Sequence, residues 1–346
     1  MEDPTSIVYP RRSILSKFNI IVRKMYRKGL RYYPFRLSTL VDPLPPHEEL
    51  YRFSEKLLRI VSEYEYPLII NTKSTLTARE PWIKYIIKLA EKNSILIQVS
   101  ISMLTDEADN RLEPSAPTTS QRLSLVKRLS DVGVPAALRI SPFIPSNLPP
   151  VEEIEKTVSV IATHGVKHVI FEGLRIESKE FSQLMQLNSS SIDVESYGAD
   201  SVGGVKRVVR VSRKSLEPIY RTYINFLSKY SISFSTCKEG LFNLHTAEDC
   251  CGFYTFKNYV RRPTLWDVYV YVVKHGAAEP QTIISHICRK NSIVCDSDLD
   301  DYPRELSKPL KQHERKLIKT VSDRNLIEYL VPVLTVSDGK ICVKLK

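Results

Sequence analysis

Between residues 33 and 173 short apolar runs alternate with amphipathic stretches. The alternation predicts strands at Phe35–Leu40, Leu68–Thr72, Ile95–Ile101, Ala136–Ile140 and His168–Phe171. Helices are predicted between them at His47–Tyr64, Glu80–Asn93, Thr119–Val132 and Pro150–His164. The strands are almost wholly apolar rather than alternating, the pattern of a sheet covered on one face by helices and closed on the other. Thr119-Ser120 is placed to cap the third helix, and Gly133 and Gly165 stand where the third and fourth helices should end. Strands and helices joined by such short loops build right-handed βα units around a parallel sheet. Five strands are fewer than a complete (β/α)6 or (β/α)8 barrel needs.

The rhythm stops after Glu172. Residues 186–204 read as a long loop, followed by a helix at Leu216–Tyr230 and a strand at Ile232–Thr236. Then come helices at Leu265–His275, Pro280–Lys290 and Gln312–Asp323, with an acidic loop, Asp296–Asp301, before the last. Strands at Ile327–Val336 and Lys340–Leu345 flank Asp338-Gly339, a type I′ hairpin signal. Three helices and a hairpin are the element order of a winged helix. The expected organisation is therefore a partial barrel over residues 1–185, a segment at 186–263 that completes the barrel region, and a winged-helix-like α+β domain over 264–346.

The composition excludes several classes. Of 346 residues, 42% are hydrophobic and 26% charged, with 11 Gly and 21 Pro, which rules out disorder over most of the chain and collagen-like repeats. No apolar run reaches the roughly 18 residues of a membrane span, so no membrane partner is expected. Met1-Glu2-Asp3 opens no secretory leader. Six Cys, none before Cys237, make no disulfide framework, and a reducing cytoplasm is expected. Lys and Arg number 50 against 39 Asp and Glu, a net +11. Nine of the cations fall between Arg11 and Arg36 with no carboxylate among them, and Lys206, Arg207, Arg210, Arg213 and Lys214 form a second group. Clustered cations attract polyanions, so nucleic acid is an expected partner, with a solvated basic face as the alternative. Lys311, Arg315, Lys316 and Lys319, on or beside the third tail helix, extend the same expectation. The oligomeric state is left open.

In parallel α/β barrels chemistry sits at the C-terminal ends of the strands. Those ends read Val41-Asp42-Pro43, Asn71-Thr72-Lys73-Ser74, Val99-Ser100-Ile101-Ser102 and Arg139-Ile140-Ser141-Pro142, each of them polar. Together with Arg111-Leu112-Glu113-Pro114 and Arg122, these segments closely resemble the radical S-adenosylmethionine proteins related to spore photoproduct lyase, the DNA repair photolyase-like family, over roughly residues 15–175. At the second strand Asp42 and Glu48 keep the family's pattern, while a Thr, a Tyr and a Gln are replaced. The resemblance implies a partial (β/α)6 TIM-like barrel that lacks its first strand. It also implies a lyase-like activity on DNA or another nucleic acid, using S-adenosylmethionine and a [4Fe-4S] cluster held by three thiolates. Asp42, Lys73, Ser100, Ser102 and Arg139 are the implied cofactor-binding residues. Two local alternatives stand beside this: Asp42 could hold a turn, and Arg139 could pair with Glu113.

The family's Cys-x3-Cys-x2-Cys loop is missing from the chain. Register places it just before Met1, and a downstream start, a fragment or a cluster-less paralogue would each explain that. A second cysteine group remains, with Cys237 at a strand end and Cys250-Cys251 after twelve intervening residues, His245 lying between. Cys237, Cys250 and Cys251 are candidate ligands for iron–sulfur or zinc, and Cys237 is by position the candidate for the family's radical-quenching cysteine. The alternatives are small buried thiols. Cys288, Cys295 and Cys342 read as separate core or surface thiols, and His164 and His168 as structural. Two competing functions follow. One is a non-catalytic nucleic-acid-binding protein on a degraded barrel. The other is a metal-binding module built on Cys237, Cys250 and Cys251 alone.

Overall fold

A computed structural model of the chain describes residues 12–37, 41–102, 106, 113–145, 150–187, 192–197 and 208–344. Six strands form one parallel sheet: β1 (Phe35–Leu37), β2 (Leu68–Thr72), β3 (Ile95–Ile101), β4 (Ala136–Phe143), β5 (His168–Gly173) and β9 (Ser233–Thr236), adjacent in that order. Every pairing is parallel, from Phe35 opposite Leu68 at one edge to Phe171 opposite Thr236 at the other. The five expected strands are present, and β9 is the strand expected at Ile232–Thr236.

The strands are mainly apolar because both faces are covered. On one face Leu68, Ile70, Ile97, Leu138, Val169 and Phe171 join the main core with helices α3 (Phe53–Glu63), α4 (Trp82–Glu91), α5 (Thr119–Asp131), α6 (Val151–Thr163) and α8 (Arg213–Lys229). On the other, Ile69, Leu96, Ala137 and Ile170 pack under Phe253, Phe256 and Tyr259. These aromatics come from the segment that follows β9, so a returning loop fills the space that inward side chains fill in a closed barrel.

Local chemistry explains where the elements differ from expectation. The cap of α5 is Thr118 rather than Thr119-Ser120, with a reciprocal box to Gln121. The helix expected at His47–Tyr64 is two helices, α2 (Glu48–Tyr51) and α3, because Arg52 is left-handed at φ 49°. The Glu48 carboxylate then accepts the amides of Phe53 (3.2 Å) and Ser54 (2.8 Å), which start α3. Basic residues near the front form α1 (Arg12–Arg27), whose stripe of Leu15, Phe18, Val22 and Met25 packs into the core while Lys17, Arg23, Lys24 and Arg27 face solvent. Among the described residues β1 is one edge of the sheet. Its approach is covered where Tyr32 bridges Tyr259 and the Val260 amide donates to the Tyr32 carbonyl (2.9 Å), which limits the open-edge hazard.

After β5 comes structure where no rhythm was expected: β6 (Arg175–Glu177), α7 (Ser178–Leu187), β7 (Val194–Ser196) and β8 (Val208–Val211), with the three strands in an antiparallel sheet ordered β6-β8-β7. The tail contains α9 (Leu265–His275), α10 (Pro280–Cys288), α11 (Arg304–Ser322), α12 (Arg324–Leu330) and a hairpin of β10 (Leu334–Ser337) and β11 (Lys340–Val343). Asp338 and Gly339 both have positive φ, as the hairpin signal requires. The third helix starts eight residues before the expected Gln312. Residues 327–330 are helical rather than extended, because the Asp323 side chain caps the Leu326 amide (3.1 Å). Cys288 and Cys295 do not stand apart: they form a disulfide that joins the end of α10 to the turn before Asp296, with their Cα atoms 5.8 Å apart. No helix among the described residues is long and apolar enough to cross a membrane.

The tail is tied to the rest of the chain at several points. The Tyr302 hydroxyl donates to the Arg31 carbonyl (2.9 Å), Arg213 donates to the Tyr329 carbonyl (2.6 Å), and the Tyr329 hydroxyl donates to the Ser196 carbonyl (2.6 Å). Gly240, at φ 73°, lies so close to Leu330 that a Cβ there would overlap the Leu330 carbonyl oxygen.

Candidate functional site

At the C-terminal ends of β2 and β3, the Glu113 carboxylate joins two of the expected residues, Lys73 and Ser102. Lys73 reaches Glu113 and the Ser102 hydroxyl (3.1 Å), and Ser102 itself donates to Glu113 (2.6 Å). Arg122, fully enclosed at 0% exposure, donates to the other Glu113 oxygen (3.1 Å) and to the Ser100 carbonyl (2.9 Å). The Ser100 hydroxyl donates across to the Ser141 carbonyl on β4 (3.2 Å). Asp42 takes the turn-holding role: its carboxylate accepts the Leu44 amide (2.9 Å), the Thr72 hydroxyl (2.7 Å) and the Lys73 amide (2.6 Å), which fixes where Lys73 begins.

Arg139 pairs with Glu172 at the end of β5, not with Glu113, because β4 places it beside β5 with Ile170 opposite it. Glu172 also accepts from the Ser141 hydroxyl (3.1 Å), Arg175 (2.7 Å) and Lys238 (2.8 Å). Burial alone would raise this carboxyl, but Arg139, Lys238 and Arg175 outweigh it and hold it down at about 2. Five cations, Lys73, Arg122, Arg139, Arg175 and Lys238, thus surround two carboxylates, Glu113 and Glu172. One residue past Lys238, Glu239 has the opposite setting. It is 2% exposed, accepts the Gly173 amide (2.7 Å), and burial pushes it up to about 8, helped by the Glu172 charge. It carries a proton at neutral pH.

Glu172, Arg175, Lys238 and Glu239 are absent from the sequence-derived site. The strand-end rule that picked Arg139 would have picked Glu172 had the fifth strand been extended by one residue. Nothing in the spacing marks Arg175 or Lys238, which arrive from β6 and from the turn after β9.

The three cysteines lie on the loop-covered side of the sheet. The Cys237 amide donates to the Phe171 carbonyl (2.7 Å), and the Cys250 and Cys251 sulfurs are 3.6 Å apart. Their turn is clamped by Asp249, whose carboxylate accepts the amides of Cys251 (2.7 Å), Gly252 (2.7 Å), Phe253 (3.1 Å) and Tyr254 (3.0 Å). Gln98, itself held by Arg36 (2.9 Å), donates to the Cys251 carbonyl (2.8 Å). The hydrogen bond from Cys250 pulls the Cys251 thiol down against the effect of burial, with Arg36 and Arg139 assisting, and the same bond pushes Cys250 up. Burial raises Cys237, opposed by Arg139.

His245 is not among the sulfurs. Its Nε2 accepts the Thr236 amide (3.0 Å), and burial lowers its pKa to about 3. His168 is bonded to Ser233 (2.8 Å) and Ser235 (3.3 Å), a structural placement. Among the described residues only Cys288, Cys295 and Glu314 bring three ligand atoms of metal-binding type within 4.8 Å of one another. Cys237, Cys250 and Cys251 do not.

Fold and strand ends together define a mixed α/β protein built on a six-stranded parallel sheet whose C-terminal edge is cationic. No protein-family model matches the chain. Over 165 residues it is 27% identical to an uncharacterized protein, ORF301, of Acidianus two-tailed virus, a match covering 46% of this chain and 52% of that one. The chain thus spans about half the length of that curated relative. Among solved structures it is similar to a variant of spore photoproduct lyase, with a TM-score of 0.48 and 11% identity over 64% of this chain and 67% of the other. It is also similar to Streptococcus suis SuiB bound to S-adenosylmethionine, with a TM-score of 0.41 and 13% identity over 68% of this chain and 45% of that one. A third similar structure, native anSMEcpe with bound AdoMet, has a TM-score of 0.40 and 13% identity over 68% and 57%.

Proposed function

We propose that the C-terminal edge of the parallel sheet binds S-adenosylmethionine, in a protein of the spore photoproduct lyase-like kind that acts on nucleic acid. The observation that carries this reading is the excess of cations at the strand ends, where five surround Glu113 and Glu172. An excess of this kind calls for an anionic group of a ligand. The Nε of Arg175 is buried there without a protein partner, a donor left over for such a ligand. Arg139, Arg175 and Lys238 would face the carboxylate of the amino-acid moiety, and the hydroxyls of Ser100 and Ser102 the ribose. Bound there, S-adenosylmethionine supplies a sulfonium carbon–sulfur bond open to cleavage.

A [4Fe-4S] cluster does not fit the residues of this chain. The 346 residues contain no Cys-x3-Cys-x2-Cys, and the sulfurs of Cys237, Cys250 and Cys251 do not converge as three ligands.

Calorimetric titration of the full chain with S-adenosylmethionine tests the proposal. Binding is expected to weaken about tenfold in Lys238→Ala, one charge-assisted bond being worth roughly 1.5 kcal/mol. The absence of binding to the wild-type chain would refute it.

A second reading, a protein that binds nucleic acid without catalysis, is favoured by α1, which presents Lys17, Arg23, Lys24 and Arg27 to solvent with no carboxylate along its length. The group at 206–214 offers less. Lys206 and Arg207 lie outside the described residues, and Arg210 and Arg213 both bind Glu195. Filter binding at several salt concentrations separates the two readings. Affinity for DNA or RNA that falls steeply with salt supports the basic surface, and no affinity at low salt removes it.

A further inference from the structure

We infer that the tail contains a thiol-dependent site for a soft divalent cation of the zinc class, formed by Cys288, Cys295 and Glu314 and closed while the two cysteines are joined. The site lies where three elements meet. Cys288 is the last residue of α10, Cys295 precedes the turn at Asp296–Asp301, and Glu314 projects from α11. The two sulfurs and a Glu314 oxygen all lie within 4.8 Å of one another. Glu314 is only 8% exposed, and its Oε2 is enclosed without a hydrogen-bond partner. A disulfide is nearly apolar and offers a carboxylate nothing, so in the oxidised form this oxygen is buried without compensation. Asp296, Asp298 and Lys311 are the charged groups around it, and burial together with Asp296 raises its pKa.

Two thiolates and a carboxylate make up a zinc donor set. With Zn–S near 2.3 Å and Zn–O near 2.0–2.2 Å, a tetrahedral site has ligand–ligand edges of roughly 3.5 Å. Parting the sulfurs and drawing in the carboxylate therefore takes side-chain rotation rather than a rearrangement of helices. The exchange balances with an external dithiol as reductant. Its two thiols become a disulfide, and Cys288 and Cys295 gain the two electrons and two protons as free thiols. The cation then displaces those two protons, along with that of Glu314 where it is protonated, and a water completes the fourth position. Both states tie the end of α10 to the turn before α11, one covalently and one through the metal. A Cys-x6-Cys pair with a Glu nineteen residues on matches no common zinc spacing, and only folding brings the carboxylate to the sulfurs.

The test uses the full chain, reduced with a dithiol under anaerobic conditions, desalted, and titrated with Co2+ as a spectroscopic probe and with Zn2+ against a chromophoric chelator. The thiolate-to-cobalt absorption is expected with one added equivalent in the reduced wild type. It should be absent from the oxidised wild type, and absent or reduced by that equivalent in Cys288→Ser/Cys295→Ser, a comparison that sets aside any binding by Cys237, Cys250 and Cys251. Glu314→Gln is expected to weaken Zn2+ binding by at least about tenfold while disulfide formation and far-UV circular dichroism stay unchanged. An unaltered signal in the reduced double-serine variant would overturn the assignment, as would a reduced wild type that binds no Co2+. Should the double-serine variant fail to fold, Glu314→Gln decides alone, and an affinity equal to wild type refutes the site.

Discussion

Glu172 at the mouth of the sheet and Glu314 in the tail are buried to nearly the same degree, 7% and 8% exposed, yet their surroundings are opposite. Glu172 sits among Arg139, Arg175 and Lys238, which keep it ionised far into acid. Glu314 faces a disulfide and two aspartates, and its ionised form is disfavoured. The contrast shows that burial alone does not set the state of a carboxyl; its partners do. At the mouth the carboxylates hold cations in place for a ligand. In the tail Lys311 and the Asp296 amide only partly offset the cost of burying the carboxyl beside Asp296 and Asp298.

The sharpest way to break the comparison is Glu172→Ala. It leaves three cations without their shared counterion, two of them substantially buried, and is expected to destabilise the fold by about 3–5 kcal/mol in urea unfolding. Glu314→Ala should change stability far less, since it removes a carboxyl with one oxygen unpartnered and only the Asp296 amide and Lys311 in its favour. Equal losses in the two variants would void the contrast.

Gly240→Ala comes next. The position has positive φ and its Cβ would overlap the Leu330 carbonyl, so a loss of at least about 2 kcal/mol is expected. A wild-type denaturation midpoint would show that the tail contact is slack.

Glu239 gives the clearest pH test. In the folded chain it keeps its proton up to about 8, whereas an unfolded carboxyl loses it near 4.5. Between those values the folded state binds more protons, so this group lowers stability progressively as pH rises through the window and no further above it. Glu239→Gln should therefore raise stability at pH 8 by roughly 4 kcal/mol and leave it unchanged near pH 4. Glu172 runs the other way: its contribution is complete above about 4.5 and fades as pH falls through about 2. The smallest effect belongs to the tail surface. Lys311→Ala removes exposed pairs with Asp296 and Asp300 and should leave the denaturation midpoint unchanged within error.

The sheet was legible in the sequence because each of its strands is an apolar run bounded by polar ends and glycines such as Gly133 and Gly165. The helix α1 was hidden by its charges: Leu15, Phe18, Val22 and Met25 repeat at helical spacing, but the nine cations around them drew the reading toward a binding surface. Lys73, Ser100 and Ser102 could be placed at one edge because strand ends converge there whatever the details. Their partners were not, since Glu113 and Glu172 are assigned by which strands lie side by side, and that is a property of the fold. The same limit applies to Cys288 and Cys295, seven residues apart, whose approach depends on where α10 stops.

The loop that lies over the inner face of the sheet has a further consequence for how the chain is made. Ile69, Leu96, Ala137 and Ile170 are covered by Phe256 and its neighbours, and Gln98 meets the Cys251 carbonyl across 153 residues. A ribosome that has released the first five strands has thus exposed a bare oily floor whose lid is still unsynthesised. Until residues 249–260 emerge, that floor is open to sticking to other chains, which makes the interval between β5 and Tyr259 the period of greatest vulnerability during biosynthesis.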